Sequence, residues 1–107
     1  MTRERWDPRE WKHALAALRA LCDPGHKVYV RRVVMADGYY GDCEKKRGHF
    51  NIRLSKAMNF HESLLVLIHE WAHAMSWDLQ NRRDPHHDEH WGLCYSRCYR
   101  AVFPENQ

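Results

Sequence analysis

Residues 59–73, NFHESLLVLIHEWAH, constrain this chain more than any other stretch. Asn59 can cap a helix, and Glu62, three residues on, completes a capping box. Leu64 to Ile68 is unbroken apolar sequence, so the helix is buried on more than one side and forms the centre of the core. A chain of 107 residues has room for a single core, which predicts one domain over residues 1–107 arranged around this helix. The apolar run then leads directly into His69-Glu70-Trp71-Ala72-His73. Positions four apart on a helix differ by about 40° and rise about 6 Å, so His69 and His73 point the same way, one turn apart. Two imidazoles so placed can reach one zinc ion at about 2.0–2.1 Å. Glu70 lies on the turn between them, where its carboxylate can reach a water on that ion. Two histidines and a glutamate in so apolar a helix are costly without compensation, which sets the segment apart from a chance match.

The rest of the chain reads as helix, three strands, the helix just described, a loop and a last helix. Asp7-Pro8-Arg9-Glu10 is a helix start, with Asp7 as cap, Pro8 in the first helical position and Glu10 able to reach back. Trp11, Leu15, Leu18 and Cys22 follow at helical spacing, and Pro24-Gly25 ends the helix. KVYVRRVVM, residues 27–35, is rich in β-branched side chains and is followed by a turn at Asp37-Gly38. A second strand runs from Tyr39 or Tyr40 to about Lys46, and Arg47-Gly48 turns the chain into a third, residues 49–55. There Phe50, Ile52 and Leu54 share one face, and His49, Asn51, Arg53 and Ser55 the other, a sheet with one packed and one wet face. The expectation is an α+β fold with a three-stranded antiparallel sheet, and with 49–55 as its open edge.

Composition narrows the partners. Apolar residues make up 44% of the chain, which excludes disorder. No run of 18 apolar residues exists, which excludes a membrane-spanning helix. The polar start MTRERWDPREWK is not a secretory signal, so a cytoplasmic protein is expected. With no signal sequence, Cys22, Cys43, Cys94 and Cys98 are expected to be reduced thiols, and no C-x-x-C pair marks a zinc ribbon. The net charge is +3, but residues 26–56 hold eight Lys or Arg against three Asp or Glu. Lys45-Lys46-Arg47 reads either as a solvated turn or, with the rest of this basic region, as a surface for an anionic partner, nucleic acid included.

Zinc needs a third protein ligand and an open position. DPHHDEHWG, residues 84–92, offers His86, His87 and His90 at the start of a helix on which Trp91, Cys94 or Tyr95, Cys98 and Val102 are spaced for packing. Spacing alone does not choose between His87 and His90. IHEWAHAMSW followed by HDEHWGLCYSRCYRAVF resembles the small SprT-like zincin metallopeptidases of bacteria and their phages. The likeness covers roughly residues 27–103. In that family a histidine stands four residues before a tryptophan near the start of the last helix, an arrangement that His87 and Trp91 match. A glycine often follows this histidine in the family, and Asp88 stands there instead. The resemblance implies a minimal zincin-like fold with zinc on His69, His73 and His87. It also implies hydrolysis of a protein or peptide substrate with Glu70 as general base, in a bacterial or phage-infected cell. Tyr40, His90, Tyr95 and Tyr99 are candidates to steady the oxyanion. Longer relatives act on DNA-bound proteins, which is the alternative function, and a third is a structural module that zinc merely stabilises.

Overall fold

The computed structural model describes residues 5–79 and 88–104. Asp7 opens helix α1 (Pro8–Leu21), its side chain accepting from the N–H groups of Arg9 and Glu10. The helix ends at Cys22, and the chain turns through Gly25 at φ 90°, a left-handed conformation that suits glycine. Three strands follow: β1 (Lys27–Val33), β2 (Gly41–Lys46) and β3 (His49–Ser55). Helix α2 (Phe60–Met75) starts from a complete capping box, Asn59 accepting from the Glu62 N–H while Glu62 accepts from the Asn59 N–H. A short 3-10 turn (Trp77–Leu79) follows, and helix α3 (Glu89–Val102) closes the fold.

The α+β architecture agrees with the sequence reading, but the sheet is mixed rather than antiparallel. β2 and β3 form the expected hairpin around Arg47-Gly48, with Lys46 opposite His49. β1 lies on the other side of β3 and runs parallel to it, from Lys27 opposite His49 to Val33 opposite Ser55. The strand order is β1-β3-β2. Stretch 49–55 is therefore the central strand, not the edge. The physical reason lies in what each strand can bury. β3 places Phe50, Ile52 and Leu54 in the core with 1% exposure or less, while the matching face of β2 carries only Gly41, Cys43 and Lys45. Pairing β1 beside β3 sets Val28 against Phe50 and Val30 against Ile52, which builds one continuous apolar surface. Residues 34–40 carry the chain across the end of β3, and that end is held from both sides. Ser55 donates its N–H to the Tyr40 carbonyl and Lys56 donates to that of Val33.

α2 packs on β2 and β3 with one side and on α3 with another, and α1 packs against α3. Leu67, Ile68 and Trp71 of α2 meet Leu18, Cys22, Phe50, Ile52, Leu54 and Cys98 in the main core. Trp71 is fully buried, and its indole N–H donates to the Cys22 carbonyl at 2.7 Å. Gly41 is required by the close approach of β2 to α2: a Cβ there would stand 2.8 Å from Val66 Cγ1 and 2.9 Å from the Arg53 carbonyl oxygen. A satellite cluster of Trp6, Trp11 and Phe60 closes the far end of α2, and the Arg32 guanidinium lies 4.0 Å over the Trp6 ring.

All four cysteines are free thiols. Burial raises Cys22 and Cys98, and it pushes Cys43 up to about 12, with the charges of Glu70 and Asp42 adding to the rise. A thiol raised in the folded state contributes stability that is intact below its unfolded value of about 8.5 and is lost as pH climbs toward the folded value. The melting temperature is therefore expected to fall steadily above about pH 8.5, and to fall less in Cys43→Ala. A decline of the same steepness in both proteins would refute this account.

Candidate metal centre

α2 presents different residues on different sides. Leu67, Ile68 and Trp71 face the core, while His69 and His73 lie half-buried at the rim. One helical turn apart, their Nε2 atoms converge to 3.2 Å. Two nitrogens each ~2.0–2.1 Å from one tetrahedral ion stand ~3.3–3.4 Å apart, so the pair has the span of two ligands to one metal. Without an ion, a single proton shared between the rings satisfies the same distance. The donor set fits zinc, which takes imidazole nitrogen. Among the described residues no group of three or more metal-binding side chains is gathered. The third expected ligand, His87, lies outside the described residues, as does His86. His90 is described: it sits exposed in the first turn of α3.

Glu70 is buried, with 7% exposure, on the side of α2 that meets β2. Its carboxyl is pushed up to about 7, first by burial and then by the charge of Asp42. Asp42 is held by Arg53, whose guanidinium donates to both its oxygens from the neighbouring strand. Cys43, on the face of β2 that matches Ile52, feels the charge of Glu70. The sequence reading has Cys43 as a reduced thiol without a link to Glu70, because the turn at Asp37-Gly38 gives no sign of which strand β2 will join.

α3 supplies the other wall. Asp88 caps it, accepting from the Trp91 N–H at 2.9 Å. The Trp91 ring stands 5.0 Å from that of His69 and 5.6 Å from that of His73, and its indole N–H donates to the His69 carbonyl at 3.3 Å. Tyr95 lies against the outer side of Trp91 at 5.1 Å, and Tyr99 continues the column at 6.4 Å. Sequence spacing marked Trp91 as a packing residue and missed its contact with the histidines. Of the other oxyanion candidates, Tyr40 is exposed at the entry to β2 and Tyr95 is half-buried beside Trp91.

Four cations of the basic region have a partner of their own in the fold. Lys45 faces Asp78 at 3.9 Å, Lys46 faces Glu44 at 3.0 Å, Arg53 is taken by Asp42 and Arg32 by Trp6. Lys27, Arg31, Arg47 and Lys56 are the remaining exposed cations of 26–56. Among the described residues no helix is long and apolar enough to cross a membrane.

A capped, buried helix that carries a histidine pair and a glutamate to one rim of a small mixed sheet defines a class of compact α+β proteins. Within that class the chain belongs to the SprT-like family, whose model matches residues 11–106. Neither the curated proteins nor the solved structures contain a match to it.

Proposed function

We propose that this chain is a zinc-dependent peptidase that holds its metal on His69, His73 and His87 and uses Glu70 as general base. The observation that carries the reading is the convergence of the two Nε2 atoms at 3.2 Å beside a buried carboxyl raised to about 7. Zinc, when bound, supplies Lewis acidity toward a carbonyl and lowers the pKa of water toward neutrality. Glu70 accepts the proton of the attacking water and returns it to the departing amine. A carboxyl that burial has shifted toward neutrality is suited to both halves of that transfer. β2 is the edge strand on the side of Glu70, so an extended peptide can add to it by main-chain pairing with a carbonyl brought toward the histidine pair. On this reading the substrate edge is 41–46, since 49–55 is the central strand.

The test is metal content together with cleavage. Wild-type protein is expected to hold one zinc per chain, and alanine at His69, His73 or His87 to abolish it, while His90→Ala keeps it. Cleavage of a panel of denatured proteins should stop with chelator and return with added zinc. Full metal in His87→Ala with loss in His90→Ala would move the third ligand to α3. Cleavage indifferent to chelator would end the zinc reading.

A further inference from the structure

A histidine pair at a helix rim is not by itself a ready site. Each imidazole has its own rotamers, and both rings must take one orientation before a single ion can meet both nitrogens. In this chain the rings already converge, which asks what holds them. Among the described residues, Trp91 is a side chain whose ring meets both. Its ring meets His69 at 62° and His73 at 36°, within 5.0 and 5.6 Å. Its own placement is fixed at three points. The backbone N–H is held by the Asp88 cap, the indole N–H is held by the His69 carbonyl, and the ring packs against Tyr95 at 5.1 Å. Tyr95 is in turn followed by Tyr99 and Phe103 at 6.4 and 4.9 Å, a column of rings at every fourth position of α3.

We propose that Trp91 is a positioning residue that presets the His69–His73 pair, so that the metal is received by imidazoles already converged. The inference rests on the reading of that pair as metal ligands. Trp91 contributes no ligand atom. Its ring closes off the rotamers in which the imidazoles diverge, and its N–H ties α3 to the backbone of the ligand-bearing turn. Groups that orient metal ligands by hydrogen bonds to them govern affinity by roughly 10- to 100-fold, and a ring that restricts both imidazoles is expected to act in the same range.

The experiment compares wild type, Trp91→Phe and Trp91→Leu, each shown to be folded by circular dichroism. Zinc affinity is measured against a chromophoric chelator, and the visible spectrum of the cobalt-substituted protein is recorded. Trp91→Leu fills part of the volume without a ring, and is expected to weaken zinc ~10- to 100-fold and to alter the cobalt bands. Trp91→Phe keeps the ring and loses only the N–H, and is expected to recover most of the affinity. A Trp91→Leu protein with wild-type affinity and an unchanged cobalt spectrum would overturn the positioning role. Equal losses in the Leu and Phe variants would overturn the ring's part and leave the N–H as the means by which Trp91 positions the pair. His69→Ala and His73→Ala are run in parallel. If they bind zinc as wild type does, the metal-site reading itself fails, whatever the Trp91 variants do.

Discussion

Glu70→Gln is expected to keep its zinc and its fold and to lose at least ~10² in peptide hydrolysis, the low end of what a general base contributes. The substitution preserves size and much of the hydrogen-bonding capacity while removing the group that takes the proton. It also removes a buried ionisable group whose carboxyl is raised by burial and by Asp42. The metal-free variant should therefore melt no lower than metal-free wild type, because an ionisable group that resists charging in the fold costs stability once the pH exceeds its unfolded value. The measurements are zinc content, melting temperature with and without chelator, and the rate on a peptide that wild type cleaves. Equal rates in the two proteins would remove Glu70 from the mechanism. Loss of zinc in the variant would instead make Glu70 a ligand.

The second large effect concerns stability. Trp71 sits inside the same five-residue segment but faces the opposite way, fully buried and bonded to the Cys22 carbonyl. Truncation to alanine removes its packing, at a cost of about 3–5 kcal/mol, and leaves a buried carbonyl without its donor, at about 1–3 kcal/mol more. Domains of this kind have about 5–15 kcal/mol in total, so Trp71→Ala is expected to be largely unfolded at 37 °C. Trp71→Phe keeps most of the ring and should lose roughly the hydrogen-bond share, about 1–3 kcal/mol, which urea denaturation can resolve. A Trp71→Ala protein with a wild-type urea midpoint would show that α2 is not the centre of the core.

Much of this could be read from local sequence. The caps at Asp7 and Asn59 appear where the residues ask for them, because capping is a contact within three positions. Strand β3 buries Phe50, Ile52 and Leu54 as its alternation requires, although Ser55, read as outward, is buried as well. That His69 and His73 share one side of α2 follows from the helical repeat alone, whereas the convergence of their rings depends on rotamers the repeat does not set. The pairing of β1 could not be read in this way. Its alternation suits either neighbour, and the choice of β3 depends on which arrangement buries the most apolar surface, a property of the whole sheet. The same limit applies to Trp91 and Cys43. Each reaches the site from a separate element, and no periodicity within α3 or β2 records where that element will dock.

The parallel pairing of β1 has a consequence for synthesis. β1 ends at Val33, and its partner strand among the described residues begins at His49. On the ribosome β1 emerges first and has nothing to pair with while β2 and the hairpin turn are made, on the order of a second at typical elongation rates. β2 and β3 face no such delay, since the two-residue turn joins them as soon as both exist. For that interval KVYVRRV is a nascent extended segment with two open sides, the kind of stretch through which chains associate. Lys27, Arg31 and Arg32, three charges in seven residues, are its protection. The basic character of this strand thus has a use during translation that is independent of any partner the finished protein meets.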